Sequence, residues 1–285
     1  MLNNKKLMPP PWLAYPEIER YSIGWRMGYG EDYIGRFFGW LDSLSQEEQT
    51  EYQDLFPEPI TWMGWWEDDD TSKGLEQEEF FVQFWQPSGI PQYTRSKIQE
   101  DADNRHGDFC LFWKPQPTKD GSIAKSCFSQ WWIGEFRSVE RIYCCMEQFM
   151  MEQKAELFGD KEIQHRIMES HDPKEMKALG RKVQRFDQEL WDRVKYSIVL
   201  NGNWCKFSQN KELGDFLLST GDSILAEASP YDAIWGIRLS ASSPDAQDPS
   251  RWRGQNLLGF ALMEVRDELR RIRRNESLCD WSLVR

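Results

Sequence analysis

The sequence predicts an α+β protein, mainly helical with a few short strands, carrying an acidic, aromatic-rich N-terminal extension. Three observations lead there. Beyond residue 113, apolar side chains recur every three or four positions between recognisable helix caps. Strand-like apolar runs are confined to residues 80–85 and 109–113, each with a Pro close behind. Residues 1–104 hold 7 Trp, 6 Tyr and 6 Phe, with 20 acidic against 8 basic side chains, so the net charge of −12 resides there. The expected division is an extension over 1–104, a second domain over 105–274 and a tail over 275–285, with the polar segment 99–107 at the boundary.

In the extension, aromatics spaced by three and four from Tyr29 to Trp40 predict an amphipathic helix. Ser45 with Glu48 forms a capping box for a second helix, which should stop before Phe56-Pro57. Packing is the expected use of these rings rather than base stacking, because the accompanying acids would repel phosphates. Farther on, residues 139–158 read as one helix. Asp172-Pro173 offers an N-cap followed by Pro at the first helical position. Asp187 caps a helix through Leu190, Val194 and Ile198, and Leu213, Phe216 and Leu217 make a short face closed by Gly221. Leu258, Leu262, Val265, Leu269 and Ile272 mark the last helix, whose basic end suits a helix C-terminus.

The acidic balance disfavours a general nucleic-acid or anionic-membrane surface, although residues 105–285 are neutral overall and leave room for a local basic groove. Residues 1–8 are polar and basic and run into Pro9-Pro10-Pro11, so no signal peptide is expected. No run of about 18 apolar residues exists, so no membrane span is expected either. The six Cys lack paired spacing and the three His are scattered, which argues against a disulfide framework or a metal centre and for a reducing cytoplasm; no cofactor is expected.

The most informative stretch is 146–155. Glu147 and Lys154 stand seven residues apart, so on one helix they project from nearly the same face, roughly 10 Å apart. Tyr143, Met150 and Met151 would flank the acid with apolar bulk. Such an acid is either the partner of a buried cation or a group held for chemistry. The familiar phosphate-binding and nucleophile motifs are missing. What the chain offers is an ordered series: Glu147 and Lys154, Lys177 and Arg181, Trp191 and Lys195, Asp232 and Trp235.

The series sits within a longer set of landmarks. In order they are Phe128-Ser129-Gln130-Trp131, the stretch from Glu147 to Lys154, Ala178-Leu179-Gly180-Arg181 and Trp191-Asp192-Arg193-Val194-Lys195. Lys206-Phe207-Ser208-Gln209-Asn210 follows, then Leu217-Leu218-Ser219-Thr220-Gly221 leading to Glu227, Asp232-Ala233-Ile234-Trp235-Gly236, and Gly254-Gln255-Asn256. Each alone is weak; together, over residues 110–270, they resemble the NADAR (YbiA-like) family, whose members act on N-glycosidic bonds of ADP-ribose-related and ribosylamine compounds. Gln148 stands where the family has His and Gln130 where it has Asn, departures that bear on substrate choice.

The resemblance implies a metal-independent N-glycosidase. Breaking a C1′–N bond builds positive charge on the ribose, and a nearby carboxylate stabilises it or moves the proton. Glu147 and Asp232 are the implied carboxylates. Lys154 either captures a ring-opened ribosylamine as a Schiff base or gives electrostatic support. Trp191 and Trp235 are implied as faces for a flat base, Arg181 as a phosphate ligand beside a glycine that permits close approach, and Phe128, Ser129 and Gln148 as further substrate contacts. Asn256 is either a helix cap or a ligand contact. The expected substrate is ADP-ribose on a modified base, most of all guanine in nucleic acid. A ribosylamine phosphate of riboflavin biosynthesis is the rival substrate, and a silent ADP-ribose sensor is the non-enzymatic alternative.

Overall fold

The computed structural model describes residues 2, 6–67, 92–104, 108–116, 118–138 and 141–284. The chain forms two compact units: Met1–Leu75 with Arg137–Arg141 and Asp267–Arg285, and Glu76–Phe136 with Ile142–Arg266.

The first unit contains α1 (Pro11–Ala14), α2 (Tyr29–Asp42) and α3 (Gln46–Leu55). Tyr33, Phe37 and Leu41, each four apart, form the buried face of α2. Ser45 accepts from the Glu48 amide while the Glu48 carboxylate accepts from the Ser45 amide, and α3 ends at Leu55, ahead of Phe56-Pro57. The extension's aromatics pack on one another: Trp12 meets Trp62 and Trp66 edge-on, each at 5.5 Å. The buried phenols of Tyr33 and Tyr52 donate to the Pro9 and Met8 carbonyls at 2.5 and 2.6 Å, so their burial leaves no orphaned hydroxyl. The segment expected as a tail is tied into this unit, with the Asp280 amide on the Leu7 carbonyl at 2.8 Å and Lys6 paired to Asp280 at 3.0 Å.

In the second unit β1 (Phe109–Phe112) runs parallel to β4 (Ile224–Glu227), Phe109 facing Ile224 and Phe112 facing Glu227. The strand expected at 80–85 lies outside the described residues, while that at 109–113 is β1. A helix, α4 (Arg95–Asn104), occupies much of the segment expected as a polar boundary. The remaining helices are α5 (Met146–Leu157), α6 (Lys161–Glu169), α7 (Pro173–Gly180), α8 (Gln188–Gln209), α9 (Lys211–Ser219) and α10 (Leu257–Ile272), the last shared between the units at Arg266. The side chains of Asp172 and Asp187 cap α7 and α8 through the Lys174 and Leu190 amides, both at 2.9 Å.

Residues 139–158 are not one helix. Phe136–Ser138 (β2) and Arg141–Tyr143 (β3) pair as a two-stranded sheet, and α5 begins only at Met146 after Cys145 in extended conformation. Ile142 and Tyr143 favour a pleated strand, and a continuous apolar run does not reveal where one period gives way to the other. Tyr143 therefore does not flank Glu147 on a helix; its phenol donates to Glu152 at 3.0 Å. Helix α5 is the hub, packed against α6, α7 and α8. Two glycines permit this: a Cβ on Gly180 would lie 2.0 Å from Met151 Sδ, and one on Gly202 would lie 2.5 Å from the Phe149 ring.

Candidate active site

Helix α5 carries two buried acids with different fates. Glu152 accepts from Tyr143, from Gln153 at 2.9 Å and from Gln164, which satisfies it as a structural group. Glu147 is 2% exposed, accepts the Trp131 indole N–H on Oε2 at 3.1 Å and keeps Oε1 buried with no partner among the described residues. A sealed, unpaired acceptor costs about 1–3 kcal/mol, which marks this acid as held for something other than stability.

Burial raises the Glu147 carboxyl to about 7, with Asp232 adding to the shift and Lys177, the Trp131 hydrogen bond and Arg181 opposing it. Its place in the first turn of α5 favours the anion through the helix dipole, so desolvation outweighs that effect. Glu227, the last residue of β4, is the second such group. Its Oε2 is buried without a partner among the described residues, and burial, then Asp232, raises it to about 8 against the pull of Lys177. Glu147 adds to the upward shift of Glu227, and Asp232 and Lys177 act on both acids, so three carboxyl groups and Lys177 form one electrostatic cluster.

Each member has a positioning device. The Glu147 amide donates to the Gln130 carbonyl at 2.9 Å, tying α5 to the loop that carries Trp131. That loop is held from below by Lys206, fully buried on α8, whose ammonium donates to the Cys127 and Ser129 carbonyls at 2.6 and 3.3 Å. Glu227 is set by Asn256, whose Oδ1 accepts the Glu227 amide at 3.0 Å and whose Nδ2 donates to the Leu225 carbonyl at 2.9 Å. Asp232 Oδ1 accepts from the Ile234 and Trp235 amides at 2.9 and 2.8 Å, fixing the turn that follows β4.

Several expected site residues take other places. Asn256 is fully buried with both amide atoms engaged by β4, so it braces the strand instead of facing a ligand. Gln148 accepts from the Cys144 amide at 2.8 Å and donates to carbonyls at 167, 168 and 170, which makes it a strut between α5 and the end of α6. Phe128 is wholly buried among Phe112, Phe207 and Phe216, a core ring. Ser129 is buried and its hydroxyl accepts the Trp131 amide at 3.2 Å. Gly180 serves the contact of α7 with α5, not an approaching phosphate.

Lys154 donates to the Gly180 carbonyl at 3.0 Å and lies over the Phe186 and Trp191 rings at 4.0 and 5.4 Å, where burial lowers its pKa. Trp191 thus packs on Lys154, and the cation acting most strongly on Glu147 is Lys177, whose ammonium sits 5.8 Å from the Trp131 ring. Arg181 caps the end of α7 with an exposed side chain, and Trp235 is buried beside Asp232. Glu227, Lys177 and Trp131 carry no role in the sequence reading, although each stands within a landmark or the charged series. Among the described residues no group of three or more His, Cys, Asp and Glu is placed to hold a metal, and no helix is long and apolar enough to cross a membrane.

The NADAR domain model matches residues 111–270, more than half the chain. The chain belongs to the NADAR family. The chain is 44% identical over 146 residues to an N-glycosidase of Acanthamoeba polyphaga mimivirus, covering 50% of this chain and 86% of that one. A chloroplastic riboflavin biosynthesis protein of Zea mays is 33% identical over 113 residues, 38% of this chain and 16% of that protein. The NMR structure of the E. coli protein YbiA superposes with a TM-score of 0.45 at 23% identity, covering 57% of this chain and 86% of that one.

Proposed function

We propose that this NADAR protein is a hydrolase acting on N-glycosyl bonds, with Glu147 at the reaction centre. The carrying observation is the pair of carboxyls Glu147 and Glu227, each with a buried oxygen that has no partner among the described residues and each raised to near-neutral pH. The N-glycosidase relatives support the same activity. A carboxyl poised at about 7 is a competent acid and base at neutral pH. In this reading Glu147 protonates the departing base as the C1′–N electron pair leaves with it. Asp232, the cluster's remaining carboxylate, stabilises the cationic ribose and takes a proton from the attacking water, while Glu227 stays protonated at neutral pH. Exposed Arg181 and the ammonium of Lys177 are suited to a phosphate or pyrophosphate on the substrate.

The substrate we favour is ADP-ribose attached to a modified base, guanine in nucleic acid above all, in a cytoplasmic setting. The riboflavin biosynthesis relatives support a ribosylamine phosphate as the second reading. Incubation with ADP-ribosylated guanine oligonucleotide and with a ribosylamine phosphate, beside Glu147→Gln, separates them. Wild-type turnover of the first, lost by at least about a hundredfold in the variant, is expected for a proton-transfer group. If neither substrate is consumed while ADP-ribose binds, the protein is a sensor and the enzymatic reading fails.

A further inference from the structure

Two aromatic side chains stand in water where the parallel strands end. Trp113 follows β1 and is 37% exposed, and Tyr231, just beyond β4, is 86% exposed. Their ring centroids lie 6.1 Å apart with the planes inclined at 51°, and the Lys114 ammonium sits 4.5 Å from the Trp113 ring. Large rings are normally recruited for burial, and a tyrosine this exposed gains little of it from its own fold. Lys114 moreover holds a left-handed backbone, φ 59°, uncommon for a side-chain-bearing residue.

The pair is built into the carboxyl cluster. The Ser229 hydroxyl accepts both the Tyr231 amide at 3.4 Å and the Asp232 amide at 3.3 Å, so one group seats the ring and the carboxylate. The Ala228 amide donates to the Phe112 carbonyl at 2.8 Å, joining the strand end that bears Trp113 to the strand end that bears Glu227. Rings flanking a planar base stand roughly 7 Å apart, twice a carbon–carbon contact. An inclined pair at 6.1 Å, one partner of which is 86% exposed, is within about an ångström of that spacing.

Resting on the N-glycosidase reading of the cluster, we propose that Trp113 and Tyr231 form a stacking platform for a nucleobase of the substrate other than the one whose bond is cut. Lys114 lies beside the platform for the phosphate that accompanies such a base. The stacked base is either the adenine of ADP-ribose or a neighbour in a nucleic-acid strand. Face stacking serves both and demands no sequence.

The test compares wild type, Trp113→Ala and Tyr231→Ala on three substrates: base-free ribosylamine 5-phosphate, ADP-ribosylated guanosine, and ADP-ribosylated guanine in a single-stranded oligonucleotide. Both side chains are exposed, and thermal melts check that the variants remain folded. Loss of one stacking face is expected to raise KM by about five- to a hundredfold for base-bearing substrates, with kcat little changed and the base-free substrate unaffected. A rise already present with the nucleoside assigns adenine; a rise confined to the oligonucleotide assigns the neighbouring base. Unchanged KM, an equal change on all three, or wild-type cleavage of the base-free substrate alone overturns the platform while leaving the glycosidase reading intact. If wild type cleaves none of them, that reading falls, and calorimetry with ADP-ribose and ribose 5-phosphate decides the platform. Weaker ADP-ribose binding alone in the variants supports it, and no difference sinks it.

Discussion

Trp131 donates its indole N–H to Glu147 across 3.1 Å, the one side-chain hydrogen bond that this buried acid receives among the described residues. The bond favours the carboxylate and therefore holds the acid below where burial alone would put it. Trp131→Phe keeps most of the ring and removes the donor. With Glu147 acting as the protonated acid, kcat/KM falls as pH rises through about 7 in the wild type. In Trp131→Phe that descending limb is expected to move up by about one pH unit, the scale of a hydrogen bond to a charged group. A limb that stays in place would mean that another group is being titrated.

Glu227 yields a stability prediction whose sign is fixed by its environment. Its folded pKa, about 8, lies above the ordinary 4.5, so between those values the native state holds a proton that the unfolded chain has released. The stability from this group is complete below about 4.5 and is lost as pH rises through about 8. Glu227→Gln cannot ionise and escapes the loss. Its melting temperature should match wild type near pH 5 and exceed it near pH 9, by an amount reflecting on the order of a few kcal/mol. Parallel melting curves across that range would refute the raised pKa.

The caps at Ser45, Asp172 and Asp187 were legible in the sequence because a cap is a contact over two or three residues, written where it acts. The acid on α5 was legible too, since apolar neighbours on one helix announce burial. The start of α5 was not, because β3 and α5 share a continuous apolar run. Glu227 became visible only in three dimensions: its placement depends on β1 pairing with β4 and on Asn256, 29 residues away. The same holds for Lys177, the cation acting most strongly on Glu147, which α7 brings into place. Phe128 reads as a motif residue in one dimension and as core once Phe112, Phe207 and Phe216 surround it.

Lys154 is a test of support against covalency. Its ammonium is held on the Gly180 carbonyl and over two rings, and those contacts ask for a cation there. Lys154→Arg should stay within about tenfold of wild-type kcat/KM, and Lys154→Met should lose about ten- to a hundredfold, as for a charge-assisted hydrogen bond. Borohydride added during turnover should trap no adduct. A trapped ribosyl adduct on Lys154 would establish the Schiff-base route instead.

Lys206 reaches the reaction centre without touching it. Buried beneath the loop of Cys127 and Ser129, it is pushed down to about 8 by desolvation, yet it donates to both of their carbonyls. Lys206→Met preserves length and apolar volume and leaves the Cys127 carbonyl without its ammonium donor, while the Ser129 carbonyl keeps the Trp132 amide at 3.1 Å. Because an unsatisfied buried acceptor costs more than a hydrogen bond contributes, the change should destabilise by about 2–4 kcal/mol in urea unfolding. The loop also carries Trp131, so kcat should fall and the descending pH limb should broaden or shift toward that of Trp131→Phe. A loss of stability with an unaltered pH profile would confine Lys206 to the core and break the proposed chain from Lys206 through Trp131 to Glu147.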